Sequence, residues 1–143
     1  MSQARGRVVV VFYENREHAR DNEDFKYTLA QFIRDNQLQK EINVYAVANL
    51  LGVDGLSREI ARGIVRAVAR SYGIDLLMDW EGQLQRPPFL FPNDGSTIAL
   101  FDREGRLRYR FTGRIDTSKQ SEIFRLLRRL LRTQSTPSAS SAR

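Results

Sequence analysis

The chain has no cysteine and one histidine in 143 residues. Without cysteine there can be no disulfide, no thiolate metal ligand and no thiol nucleophile. That absence leaves the redox compartment open. Long apolar runs are missing too: no stretch approaches the ~20 residues that a membrane-spanning helix needs. The run VVVVF that follows MSQARGR is too short for the core of a signal peptide, and no small-residue cleavage site follows it. A soluble cytoplasmic protein is the expectation. Proline is scarce and clustered: three of the four are Pro87, Pro88 and Pro92, so Gln83–Pro92 should be irregular. Acids are scarce in one region. From Arg114 onward there are seven basic residues and two acids, Asp116 and Glu122, so most of the net charge of +6 lies there. A basic region of this kind suits nucleic acid, an anionic membrane or an acidic protein, or is a solvated helix face.

What is present fits one domain with a real core, since 41% of the residues are hydrophobic. Val8–Tyr13 is β-branched and unbroken, as a buried strand is. A polar loop, Glu14 to Asp24, follows. Phe25, Leu29, Phe32 and Ile33 recur at helical spacing behind Asp24, a candidate N-cap. Ile42–Leu50 reads as a second strand. Ser57 opens a helix on which Ile60, Ile64, Val68 and Tyr72 form one stripe and Arg58, Arg62, Arg66 and Arg70 another. The two stripes lie ~200° apart at 3.6 residues per turn. Gly73 suits the C-cap. Ile74–Met78 reads as a strand. Residues 95–113, GSTIALFDREGRLRYRFTG, read as two strands around a turn at Asp102-Arg103-Glu104-Gly105, with Ile98, Leu100, Leu107 and Phe111 facing the core. A final helix from Thr117 or Ser118 puts Ile123, Phe124, Leu127, Leu130 and Leu131 inward and Arg125, Arg128, Arg129 and Arg132 outward. Residues 1–6 should be flexible, 7–132 the folded domain, and 133–143 a disordered, Ser/Thr-rich tail.

The order β-α-β-α-β-loop-β-β-α predicts an α/β sandwich around a mixed sheet, with one helix opposite the other two. It resembles the thioredoxin core. Leu77-Met78-Asp79-Trp80-Glu81-Gly82, Leu100-Phe101-Asp102-Arg103-Glu104-Gly105 and Phe111-Thr112-Gly113 are similar to the second half of the peroxiredoxin and thiol-reductase branch. The narrower resemblance is to YtfJ-like proteins, over roughly residues 7 to 132. It implies the fold and argues against the activity. The positions where such enzymes carry their cysteines fall near Glu17 and Arg20, and Ser96 stands where they carry a cis-proline that meets the substrate.

Other constellations have plain readings. Glu14, Glu17, His18, Asp21, Glu23 and Asp24 include carboxylates that suit a hard cation. One imidazole and no cation-loop spacing leave a solvated loop as the expectation. Tyr109 and Phe111 alternate with Arg108 and Arg110, as a half-buried strand requires, and no nucleic-acid motif appears. Pro87-Pro88-Phe89-Leu90-Phe91-Pro92 either folds over the sheet or offers an apolar surface. No catalytic, cofactor or metal residue is assigned. The expected role is a redox-inactive binding or regulatory module. The two arginine stripes would meet the acidic surface of a protein partner, pointing away from each other. A non-thiol enzyme and a weak anionic-surface binder are the alternatives.

Overall fold

The computed structural model describes residues 6–49, 62, 63, 66, 75–79, 81–92 and 95–133. Five strands form one sheet: β1 (Val8–Asn15), β2 (Ile42–Asn49), β3 (Asp75–Asp79), β4 (Ser96–Phe101) and β5 (Leu107–Thr112). Two helices accompany them, α1 (Glu23–Asp35) and α2 (Thr117–Arg132). The strand order is β3-β2-β1-β4-β5. β1, β2 and β3 are parallel; β4 runs antiparallel to β1, and β5 pairs antiparallel with β4. This is the α/β sandwich with a mixed sheet and terminal hairpin that the sequence predicts.

The period of two along β1 assigns its side chains to two cores. Val8, Val10 and Phe12 turn towards the helices and pack with Phe25, Leu29, Ile123, Leu127 and Leu130. Val9, Val11 and Tyr13 turn to the other face, where Phe91, Leu84 and Phe89 cover them. The proline-rich segment therefore folds down on the sheet, with Phe91 buried and Leu90 left outside. α1 and α2 share one face, and Phe124 of α2 lies 4.9 Å from Phe32 and 5.5 Å from Phe25, ring to ring.

Both helices end on recognisable devices. Gln37, at φ 55°, closes α1. Its N–H donates to the Arg34 carbonyl and the N–H of Leu38 to that of Ile33, the pairing that satisfies the last carbonyls of a helix. Asp116 caps α2 by accepting from the Lys119 N–H at 2.8 Å. At the other end of α2, Arg103 donates to the carbonyls of Leu131 (2.8 Å), Thr133 (2.9 Å) and Gly6 (3.0 Å), and pairs with Glu41. The β4–β5 turn is built on Asp102, which accepts from the N–H groups of Glu104 and Arg106 and from Arg108. Gly105 sits at φ 83°, open to glycine at little cost.

Three expectations need correction. Glu14 is not in a solvated loop; it belongs to β1 and is 7% exposed, because the alternation that buries Phe12 carries on to it. Asp24 does not cap α1. The helix starts at Glu23 behind Asn22, whose side chain is drawn to more distant partners. Leu107 is exposed at 43%, because the pairing slips between Leu100 and Phe101 and takes it off the core register. The expected placement of one helix opposite the other two concerns the helix read from Ser57, outside the described residues. The helix read from Ser57, the tail from residue 134 and the first five residues lie outside the described residues, except that Arg62, Gly63 and Arg66 have helical backbone and are exposed.

Candidate functional site

β1, α1 and β4 converge where the parallel strands end, and there the chain buries charge. Glu14 projects from β1 towards α1. Lys26, one residue past Phe25 on the inner side of α1, donates to Glu14 Oε1 at 2.5 Å and to the Ala19 carbonyl at 3.1 Å. Ser96, the first residue of β4, donates to Glu14 Oε2. Asn22 closes the cluster: Nδ2 donates to Ser96 Oγ at 3.0 Å and to the Gly113 carbonyl at 2.9 Å, and Oδ1 accepts from the Ile115 N–H at 2.8 Å. Burial pushes the Glu14 carboxyl above its ordinary range, while the Lys26 ammonium and the Ser96 hydroxyl pull against that shift. The Lys26 side chain is 4% exposed. Among the described residues no buried side-chain polar atom lacks a partner. The cluster is thus buried and its polar atoms are partnered.

A second polar group lies across the sheet. Tyr13 donates its hydroxyl to Asp79 at 3.0 Å, and Gln85 donates to that hydroxyl at 3.2 Å. Asp79 also accepts from the N–H groups of Gln83 (2.9 Å) and Leu84 (3.2 Å). Burial, with Asp79 adding to it and Gln85 opposing, raises the Tyr13 phenol to about 12. Asp79 therefore fixes where the chain leaves β3 and turns under the sheet.

The positions that the resemblance assigns to cysteines, Glu17 and Arg20, both lie exposed in the connection from β1 to α1. Ser96 opens β4 as expected, but its hydroxyl is spent on Glu14. His18 Nδ1 lies 2.7 Å from Asp21, and no group of three or more potential metal ligands forms among the described residues. Arg125, Arg128, Arg129 and Arg132 stand exposed on the outer face of α2, and no carboxylate among the described residues lies in ion-pair range of them. Arg128 rests over the Phe32 ring at 5.5 Å. Arg62 and Arg66 are exposed; Arg58 and Arg70 lie outside the described residues. On β5, Arg108 is tied to Asp102 and Arg110 to the Phe89 carbonyl, while Tyr109 and Phe111 pack on the helix side. On β5 the two rings and the two guanidiniums thus start from opposite faces of the strand.

No sequence motif marks Lys26 or Asn22. A period-two count along β1 puts Glu14 beside Phe12, and a buried carboxylate demands a cation within reach. Lys26 follows Phe25 of the apolar stripe.

No protein-family model and no curated protein sequence matches the chain. Solved structures do match. A thiol-disulfide isomerase from Corynebacterium glutamicum is 21% identical with a TM-score of 0.65, over 93% of this chain and 86% of that one. The exposed lipoprotein thioredoxin Etrx1 from Streptococcus pneumoniae is 16% identical with a TM-score of 0.61, over 90% and 88%. A DsbF homologue from Corynebacterium diphtheriae is 13% identical with a TM-score of 0.62, over 87% and 74%. The fold is thioredoxin-like. The likeness extends to the sheet and helices and stops at the sulfur chemistry, since this chain has no cysteine. No helix of the described residues is long and apolar enough to cross a membrane.

Proposed function

We propose that this chain is a thioredoxin-fold binding or regulatory module without redox chemistry, of the YtfJ-like kind, acting in the cytoplasm on a protein partner with an acidic surface. One observation carries the reading. Where β1, α1 and β4 meet, the chain holds a buried, hydrogen-bonded Glu14–Lys26–Ser96–Asn22 cluster, while the outer face of α2 offers four guanidiniums to solvent. Rim charges of this kind steer a partner and set its orientation. The domain is taken as residues 7–132, and Arg58, Arg62, Arg66 and Arg70 are proposed as a second basic contact.

The test is affinity purification of the full chain with mass spectrometry, followed by binding measurements on the Arg125→Glu/Arg129→Glu variant. The expected result is a stable protein partner that the variant loses while its circular dichroism is unchanged. Recovery of nucleic acid alone would overturn the reading.

A further inference from the structure

The turn from Arg86 to Leu90 is built in a way that the fold alone does not call for. Leu90 is the most exposed large hydrophobic residue among the described residues, at 57%. Its backbone lies at φ 52°, a left-handed conformation that a bulky side chain adopts at a cost. The fold needs the conformation, because the chain must reverse there to send Phe91 onto the Tyr13 ring, 5.6 Å away. It does not need leucine, because glycine or asparagine takes that backbone more readily. The turn is also held firmly. The N–H groups of Phe89 and Leu90 both donate to the Arg86 carbonyl, at 3.1 and 3.0 Å, and the N–H of Phe91 donates to that of Leu84 at 2.8 Å. From β5, Arg110 donates to the Phe89 carbonyl at 2.5 Å. Pro87 and Pro88 are exposed beside Leu90, the exposed Arg110 reaches the turn at the Phe89 carbonyl, and the exposed Arg86 opens it with its guanidinium donating to the Glu81 carbonyl at 3.3 Å.

A single exposed apolar residue is ordinary. One kept in an unfavourable backbone, on a braced turn that carries two exposed arginines, is a presented side chain. We propose that Leu90 docks into an apolar pocket, rimmed by carboxylates, on a partner protein. The inference rests on the binding-module reading and names a contact for it. Charge decides the occupant: a second copy would set Arg86 and Arg110 against a chain of net charge +6. A bilayer is the weaker fit, because Phe89 and Phe91 turn inward to the sheet and leave little apolar area to insert.

The experiment makes the full chain with photo-leucine, irradiates it in the cells that encode it, and maps crosslinks by mass spectrometry. The protein joined at position 90 is then purified and titrated with wild type, Leu90→Gly, Leu90→Asn, Leu90→Met and Arg125→Glu/Arg129→Glu. Burying a leucine is worth about tenfold or more in affinity. Leu90→Gly and Leu90→Asn are therefore expected to weaken binding about tenfold or more, with a melting temperature equal to or above wild type. Leu90→Met should bind nearly as well as wild type. Wild-type affinity in both Leu90→Gly and Leu90→Asn overturns the docking role. So does the lack of any protein crosslink at position 90, as does Leu90-dependent binding to phosphatidylglycerol/phosphatidylcholine vesicles or to a second copy. If these two variants bind normally and the α2 variant does not, the turn is wrong and the module reading stands. If no protein binds at all, both fall.

Discussion

Glu14 and Lys26 show how much one residue can commit. Each is buried, and each is tolerable only because the other is there. Removing one partner of a buried pair strands the other charge, at roughly 3–5 kcal/mol, while an apolar replacement of both is close to neutral. Lys26→Met should therefore destabilise strongly at neutral pH, and the Glu14→Gln/Lys26→Met double variant should recover most of the loss. The pH dependence has a definite sign. The folded-state pKa of Glu14 lies above its unfolded value. Its protonated form thus adds stability that is fully present below the unfolded pKa and is lost as pH rises through the folded one. Without Lys26 the shift grows, so Lys26→Met should regain stability on acidification from neutral pH, seen as a rising urea midpoint. A midpoint that falls in that range would show that Glu14 reaches water. A second expectation at this scale is chemical: the pure protein should neither reduce insulin disulfides nor consume peroxide through a thiol, because it has no thiolate.

Elements were legible where their signals are local. β1, β2 and the β4–β5 hairpin follow from β-branched runs and a turn ending in glycine, and α2 follows from its apolar spacing. The misses came from long-range partners. Asn22 would pass as a local cap, but Gly113 and Ile115, some ninety residues on, claim its amide. The slip at Leu100/Phe101 has no sequence mark, so Leu107 read as core. Ser96 and Glu14 are each plain in the sequence, yet their meeting depends on β1 pairing with β4. Arg103 yields a test at this scale. Its guanidinium holds carbonyls at the end of α2 and at Gly6, so Arg103→Ala should cost about 1–3 kcal/mol. The loss should appear first as faster amide exchange in the last turn of α2, with β1 unaffected. Asp102→Ala should cost a similar amount through the hairpin, since three donors lose their acceptor. Burial pushes the Asp102 carboxyl up, but the N–H groups of Arg106 and Glu104 and the Arg108 guanidinium outweigh it and hold it below its ordinary value. Its contribution is accordingly present above the unfolded carboxylate pKa and fades as pH falls through the folded one.

For the whole molecule, the two proposed contacts differ in physics and so can be told apart. The arginines of α2 are exposed charges, which act over a Debye length and mainly change the rate of encounter. Leu90 acts only once it is buried, which mainly changes the rate of escape. Arg125→Glu/Arg129→Glu lowers the net charge by about four from the chain's +6. With the purified partner, that variant should lose association rate at low salt, and its difference from wild type should shrink as salt screens both. Leu90→Gly should leave the association rate and its salt slope nearly untouched and raise the dissociation rate. Duplex DNA gives the contrasting case: its binding grows with the number of phosphates met along one surface. On β5, Arg108 and Arg110 are held by Asp102 and the Phe89 carbonyl and do not extend the α2 face. Duplex binding should consequently be weak and vanish at moderate salt. Stopped-flow association across a salt series decides the matter. Equal salt slopes for wild type and the α2 variant would mean that the guanidiniums of α2 are solvated surface and nothing more.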